Sequence, residues 1–139
     1  MEDILSRSLD DLQSEVKTLA LELIDRANQL DIEAVVTSTL RSFKEQQALY
    51  DQGRKSPGKV VTNAQPGSSY HNFGLAFDIA FRVGGKITWD GPWETVGAIG
   101  RSIGLRWGGD FQKFKDRPHF ESGPSLKECR QKWPLGWKP

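Results

Sequence analysis

The apolar residues of this 139-residue chain change their spacing along the sequence, and this change constrains the fold more than any other feature. From about Asp10 to Leu30 they recur every three or four positions, which predicts a helix with one apolar face. From Ile32 to Leu40 β-branched residues predominate, which predicts a strand directly after that helix. A chain of this length is expected to form one domain with one hydrophobic core.

The next segment carries a helix start signal. Ser42 and Glu45 have the S-x-x-E spacing of a capping box, which predicts a second helix from about Ser42 to Gln52. Gly53 is a plausible left-handed residue at its end. Residues 54–70 contain several Pro and Gly residues and predict a surface loop. A loop of this length in a small domain is uncommon unless it has a function.

The second half of the chain predicts a hairpin, a third helix and two short strands. In chain order these are a strand from Phe73 to Val83, a turn at Gly84–Gly85, a strand from Lys86 to Trp89, a helix from Trp93 to Ile103, and short strands at Leu105–Trp107 and His119–Glu121. Residues 10–121 would form the core of the domain and residues 122–139 a Pro/Trp-rich tail. We expect an α+β fold in which helices flank a small, mostly antiparallel sheet.

Composition excludes some classes of function. The 19 basic and 18 acidic residues nearly cancel, so electrostatics give no support to nucleic-acid binding. No apolar run approaches the ~20 residues of a membrane span, and the start from Met1 to Arg7 lacks the features of a signal peptide. Cys129 is the only cysteine, so no intrachain disulfide can form.

Both histidines of the chain lie in short polar segments that also carry carboxylates, in residues 69–78 and 116–121. Two imidazoles and one carboxylate can fill three corners of a zinc tetrahedron and leave the fourth for water, as in catalytic zinc sites. A further carboxylate would remain to handle protons. This combination suggests a zinc hydrolase.

The spacing of His71 and Asp78 requires a bend between them. Seven residues along a continuous strand would place the two side chains on opposite faces, and Gly74 has the freedom to bend the chain. A buried Asp78 would need a metal or an arginine beside it. The alternative is a half-exposed strand aspartate paired with a basic side chain.

Two further residues could serve a hydrolase. Asp116 lies three positions before His119, close enough to exchange protons with a water on the same metal, and Pro118 stiffens the approach. Arg41 follows a predicted strand and precedes a predicted helix, where a cation could stabilise an oxyanion. In the alternative interpretation, both side chains form only local ion pairs.

The segment from Ser69 to Asp78 fits, position for position, the S-x-H-x-x-G-x-A-x-D signature of the LAS-type (VanY/M15-like) zinc peptidases of bacterial cell walls. Residues 41–50 resemble the R-S-x-x-x-Q-x-x-L-Y helix start of this family. Residues 105–110, followed by the D-x-x-H of residues 116–119, are similar to its closing segment. The resemblance covers about residues 10–121 and implies a fold like that of hedgehog and the D-Ala-D-Ala peptidases.

The resemblance also implies roles for individual residues. One Zn²⁺ would be bound by His71, Asp78 and His119, with Asp116 as general base and Arg41 polarising the scissile carbonyl or holding its oxyanion. Three further residues become candidates for substrate binding, namely Ser69, Gln46 and Asp110.

The identity of the general base bears on the branch of the family. The D-Ala-D-Ala enzymes typically carry Glu in an E-x-x-H motif. Asp116 is instead similar to the base of the L-alanyl-D-glutamate branch, which includes a Bacillus-type wall endopeptidase and phage lysins.

The resulting hypothesis is a zinc metallopeptidase that cuts the L-Ala–D-Glu bond of the peptidoglycan stem peptide, as a phage- or prophage-type endolysin. The alternatives are a D-Ala-D-Ala carboxypeptidase or dipeptidase and a non-catalytic, zinc-stabilised wall-binding module. We expect a monomer without a membrane span. It would be made in the cytoplasm without a signal peptide and would act on the cell wall after holin-type release.

Overall fold

The computed structural model describes residues 5–139, in which an antiparallel sheet of five strands is flanked by four α-helices. The α+β architecture predicted from the sequence is therefore confirmed. The helices are α1 (Ser14–Gln29), α2 (Phe43–Asp51), α3 (Trp93–Ser102) and α4 (Leu126–Lys132), and the strands are β1 (Ala34–Ser38), β2 (Ala76–Val83), β3 (Lys86–Thr88), β4 (Arg106–Trp107) and β5 (His119–Glu121).

Strand β2 is the centre of the sheet. The strands follow the order β1-β2-β5-β4, and β3 pairs with the end of β2 through the Gly84–Gly85 turn. The register places Asp78 opposite His119 and Ala76 opposite Glu121. Directly opposed residues of an antiparallel pair project from the same face, so Asp78 and His119 are neighbours.

The two faces of β2 have different surroundings. Phe77, Ile79 and Phe81 are buried in the hydrophobic core, which also contains the apolar face of α1. Because side chains alternate along a strand, Asp78 lies on the other face, between Ala76 and Ala80. The face away from the main core therefore carries the polar residues of interest.

The chain bends before β2, where the sequence pattern predicts a strand from Phe73. Residues Tyr70–Phe73 instead form a 3-10 turn, because the Ser69 hydroxyl accepts the His71 N–H at its start and Gly74, with φ of 65°, ends it. The strand begins only at Ala76. The strand prediction was wrong for Phe73, but the bend predicted at Gly74 is present.

The last eighteen residues are more ordered than the predicted tail suggests. Ser125 caps α4 by accepting the Glu128 N–H, and Cys129 is fully buried in the core. Trp133 packs against the same core, and the backbone N–H of Trp137 donates to the carbonyl of Asn72 at 3.0 Å. This segment therefore supports the 3-10 turn that carries His71.

Across residues 5–139, no helix combines the length and the apolar character that crossing a bilayer requires. Residues 1–4, which belong to the start for which no signal peptide is expected, lie outside the described residues.

Candidate active site

The structure brings His71, Asp78 and His119 together. One ligand atom from each of these residues lies within 4.8 Å of the others. Oδ1 of Asp78 is 3.2 Å from His71 Nε2 and 3.2 Å from His119 Nδ1. The three residues named as metal ligands on the basis of the sequence thus form one cluster.

His71 is oriented by the strand-to-helix junction that precedes α2. Its Nδ1–H donates to the carbonyl of Thr39 at 2.7 Å, and its own carbonyl accepts the Arg41 N–H at 2.9 Å. Because Nδ1 carries the proton, the lone pair of Nε2 points toward Asp78.

His119 is oriented in the opposite sense. Its Nε2–H donates to Oε1 of Glu121 at 2.7 Å, so Nδ1 faces Asp78 and can bind a metal when it is not protonated. The second oxygen of Glu121 accepts from Arg106 Nε at 3.2 Å. Sequence reasoning assigned no role to Glu121, although its position two residues after His119 on a strand places both on one face.

This arrangement fits zinc. Each imidazole turns one ring nitrogen into the cluster and donates its other N–H to a carbonyl or carboxylate, as metal-binding histidines usually do. Ligands at the usual zinc distances in a tetrahedron lie ~3.3 Å apart, close to the two distances between Asp78 and the histidines. Three ligands leave a fourth position for water or substrate, as in catalytic zinc sites.

The charges in the cluster stabilise one another. Burial alone would raise the pKa of Asp78, but the imidazoles of His71 and His119 hold that pKa well below its usual range. Burial opposes a charge on His119, yet its hydrogen bonds with Asp78 and Glu121 raise its pKa to about 9. The anionic Asp78 therefore favours a cation at this position.

Asp116 lies beside the cluster rather than within it. Its Oδ2 is 4.0 Å from His119 Nδ1, and its side chain is 54% exposed. Burial raises the pKa of Asp116, with a further contribution from the charge of Asp78, while His119 acts against the shift. The carboxylate is thus close to the cluster and accessible from solvent, as proton transfer requires.

Arg41 lines the same cleft as the cluster. Its Nη1 donates to Oε1 of Gln46 at 3.1 Å, whereas its buried Nε has no hydrogen-bond partner in residues 5–139. Burial lowers the pKa of Arg41, and the charges of Asp78, Glu45 and Asp116 oppose that shift. Gln46 is fully buried, so it holds Arg41 in place and does not face solvent.

These residues line a cleft of about 760 Å³, which is bordered by the loop that precedes the 3-10 turn and by the segment that precedes β5. Arg41, Ser69 and Asp116 lie in its wall together with the histidine–aspartate cluster. Asp110 does not line the cleft and instead pairs with Arg101 of α3 at 3.1 Å. The structure therefore gives Asp110 no contact with the site.

Comparison with known families identifies the fold and the class of enzyme. Residues 9–90 match the VanY family, described as D-alanyl-D-alanine carboxypeptidase, and residues 62–122 match a peptidase M15 family with the same description. The chain belongs to the VanY/M15 peptidase family. The family resemblance inferred from the two histidine segments is therefore confirmed.

Two curated VanY/M15 relatives are peptidases of one specificity. The chain is 43% identical over 126 residues to the peptidoglycan L-alanyl-D-glutamate endopeptidase CwlK of Bacillus subtilis (strain 168), covering 83% of this chain and 75% of that protein. It is 30% identical over 123 residues to the L-alanyl-D-glutamate peptidase of Listeria phage A118, covering 84% of this chain and 41% of that protein.

Solved VanY/M15 structures share the fold. The L-Ala D-Glu endopeptidase ChiX of Serratia marcescens has a TM-score of 0.57 at 22% identity, over 94% of this chain and 92% of that chain. A vancomycin-resistance D,D-pentapeptidase VanY, solved in complex with Zn(II), has a TM-score of 0.61 at 17% identity, over 94% of this chain and 83% of that chain.

Proposed function

We propose that the protein is a zinc-dependent endopeptidase that hydrolyses the L-Ala–D-Glu bond of the peptidoglycan stem peptide in the bacterial cell wall. The observation that carries the proposal is the cluster of His71, Asp78 and His119 in the wall of an open cleft, with the accessible carboxylate of Asp116 beside it. A purely structural zinc site would need neither the cleft nor the additional carboxylate.

The residues of the cluster would each have one task. His71, Asp78 and His119 would hold the zinc, which supplies a Lewis acid that polarises the scissile carbonyl and makes water more acidic. Asp116 would take the proton from the attacking water and give it to the leaving amine. Arg41, whose side chain lines the cleft, would donate from its guanidinium to the oxygen on which negative charge develops.

The choice of bond follows the curated relatives. The relative that is 43% identical and the phage relative are both named for the L-alanyl-D-glutamate bond. The descriptions of the matched families name a D-alanyl-D-alanine carboxypeptidase, which makes that activity the second candidate.

Digestion of purified peptidoglycan tests the proposal. Fragments with a new N-terminal D-Glu are expected, and they should disappear with a chelator and return with added zinc. Release of free D-Ala would instead indicate the carboxypeptidase activity. The His119→Ala variant serves as an inactive control, since it removes one proposed ligand.

A wall-binding assay separates catalysis from mere attachment. If the zinc-loaded protein sediments with the wall but releases no peptide, the protein is a binding module and the proposed function is wrong. A released peptide in the absence of Asp116 would contradict the proposed general base.

A further inference from the structure

The segment of residues 111–116, here called the rim loop, forms one edge of the cleft. The backbone N–H groups of Phe111 and Asp116 both donate to the carbonyl of Gly108, at 3.2 and 2.9 Å. The Phe111 ring lies 5.9 Å from the His119 ring, measured between centroids. Both ends of the rim loop are therefore fixed close to the metal cluster, while its central residues project at the cleft mouth.

Phe114, near the tip of the rim loop, is an unfavourable residue for the fold itself. It has a left-handed backbone with φ of 53°, and its side chain is 75% exposed. A left-handed conformation costs a bulky residue about 1–2 kcal/mol relative to glycine, and an exposed phenyl ring gains little from burial. Because Phe114 is costly for the fold and lines the cleft, it is a candidate for contact with a ligand.

The two neighbours of Phe114 carry unpaired positive charge. Lys113 and Lys115 are exposed, line the same cleft and have no ion-pair or hydrogen-bond partner within residues 5–139. Of the other acidic side chains in the cleft wall, Asp78 contacts both imidazoles and Glu121 binds His119, while the exposed Asp116 offsets one of the two lysine charges. The rim loop thus keeps a net positive charge that can attract an anion on the substrate.

Residues 61–64 also line the cleft, and Val61 among them is 56% exposed. Arg41 lines the cleft close to this segment, because Gln46 binds both Arg41 and the carbonyl of Ala64. Arg41 is held by Gln46, whereas the ammonium groups of the two rim-loop lysines are exposed at the edge of the cleft. The rim loop therefore offers an anionic group of a bound peptide a second cationic position, separate from Arg41.

We propose that the rim loop binds a free carboxylate of the stem peptide through Lys113 and Lys115, while Phe114 covers the aliphatic part of the residue that carries it. This inference rests on the proposed function, which supplies the substrate. In a stem peptide, D-Glu linked through its γ-carboxyl keeps a free α-carboxylate. The residue after it keeps a second carboxylate when it is a diamino diacid, such as diaminopimelate, rather than lysine.

The rim loop would then select among wall types. A diamino diacid at the third position presents a carboxylate next to its distal amino group to Lys113 and Lys115, whereas lysine at that position presents the amino group alone, whose positive charge they repel. Amidation of either carboxylate removes the corresponding attraction. The enzyme should therefore prefer stem peptides in which the carboxylate bound by the rim loop is free.

Synthetic peptides test this preference directly. The series L-Ala–γ-D-Glu–X has diaminopimelate, its side-chain amide or lysine as X, and a parallel series has D-isoglutamine in place of D-Glu. For wild type, the kcat/KM should be about 3- to 30-fold higher for the peptide with the recognised carboxylate than for its amide, chiefly through KM. The amide that lowers the rate identifies which carboxylate is bound.

The double variant Lys113→Gln/Lys115→Gln should remove this discrimination, so that its kcat/KM is the same for the free acid and for the amidated peptide. Comparing wild type and the double variant, each with the free acid and with the amide, is a double-mutant cycle. It separates the interaction between the lysines and the carboxylate from general effects of the substitutions on the fold. Lys86→Gln, an exposed lysine on β3 that does not line the cleft, is the matched control and should discriminate as wild type does. The discrimination should also weaken between about 0.05 and about 0.5 M NaCl.

Peptide binding to the Asp116→Asn variant separates this inference from the proposed function. If wild type cuts the L-Ala–D-Glu bond but neither cleavage nor calorimetric binding depends on amidation, the rim-loop inference fails and the proposed function stands. If wild type does not cut that bond but the Asp116→Asn variant binds the free acid several-fold tighter than the amide, only the proposed function fails. Discrimination that persists in the double lysine variant also overturns the inference.

Discussion

The Nε2–H of His119 donates to Oε1 of Glu121 at 2.7 Å, and this bond determines which nitrogen of His119 faces Asp78. Glu121 is itself held by Arg106, whose guanidinium lies 5.0 Å above the ring of Tyr70. The buried carboxylate therefore has a fixed position and a compensating charge. We expect it to act on the metal through His119, without contacting the metal.

Replacement of Glu121 should weaken zinc binding. Loss of a carboxylate that orients a histidine ligand typically costs about 10- to 100-fold in metal affinity. Glu121→Gln keeps an acceptor for the His119 N–H, so its loss should be smaller than that of Glu121→Ala. Competition against a chromophoric chelator measures both values.

Glu94→Gln, on the surface of α3, provides the control for this measurement and should bind zinc as wild type does. Unchanged zinc affinity in Glu121→Ala would show that the hydrogen bond to His119 does not support the site.

Substitutions of Asp116 and of Asp78 should have different effects on turnover and on zinc binding. Asp116→Asn removes the proposed base but no ligand, so it should keep its zinc while kcat falls about 10²- to 10⁴-fold. Asp78→Asn should lose zinc and activity together, because the amide lacks the negative charge that holds the cation. Metal content per chain and turnover on one stem peptide distinguish the two variants, and full activity of Asp116→Asn would refute its role as base.

Gly108 should tolerate no side chain. A Cβ at this position would lie 2.0 Å from the carbonyl oxygen of Asp116 and 3.0 Å from His119 Cβ. Gly108→Ala must therefore displace the rim loop and Asp116, and we expect kcat to fall at least about 100-fold, as for displaced catalytic groups.

Gly84→Ala is a useful comparison, because a Cβ there meets no atom within 4 Å. Its left-handed backbone should lower the free energy of unfolding by about 1 kcal/mol without changing kcat. Wild-type kcat in Gly108→Ala would mean that the rim loop can move without loss of catalysis.

The sequence predicted which residues form the cluster better than it predicted the groups that orient them. His71, Asp78 and His119 lie within recognisable motifs, and the flexible Gly74 made their convergence plausible. The pairing of His119 with Glu121 depends on tautomer and rotamer, and the unpartnered Nε of Arg41 depends on burial, so neither could be inferred from spacing. Gln46 shows the same limit, since its position in a motif does not reveal that it is buried behind Arg41.

The C-terminal helix was missed for a different reason. Helix α4 has only seven residues, and the charged residues among them give little helical periodicity. Isolated helices of this length are unstable, so α4 depends on tertiary burial of Cys129 and on the packing of Leu126 and Trp133. Such support comes from residues distant in sequence and leaves no local pattern.

Trp137 should stabilise the turn that carries His71. Its ring lies against Gly74, where an added Cβ would come within 2.5 Å of it, and this contact is lost in Trp137→Ala, whereas the backbone N–H that donates to the carbonyl of Asn72 is kept. Trp137→Ala should lower the free energy of unfolding by about 1–3 kcal/mol, less than the loss for a fully buried tryptophan. Chemical denaturation measures this change, and stability equal to that of wild type would show that the C-terminal segment does not support the turn.

Substitution of Phe114 should impair substrate recognition with little effect on the free energy of unfolding. Phe114→Gly relieves the left-handed strain of about 1–2 kcal/mol but adds about 0.5–1 kcal/mol of backbone entropy to the unfolded chain, so the free energy of unfolding should stay within about 1 kcal/mol of wild type. Phe114→Ala removes the same ring but keeps the strain. Both variants should raise the KM for the stem peptide several-fold.

The comparison of these two variants identifies the cause of any change. If the ring contacts substrate, Gly and Ala raise KM equally although their stabilities differ by the backbone strain. A loss of several kcal/mol in Phe114→Gly would show that the ring packs within the fold, because buried phenylalanines cost about 3–5 kcal/mol when truncated. If instead the KM values of the two variants differ in the same order as their stabilities, Phe114 only maintains the conformation of the rim loop and does not contact the substrate.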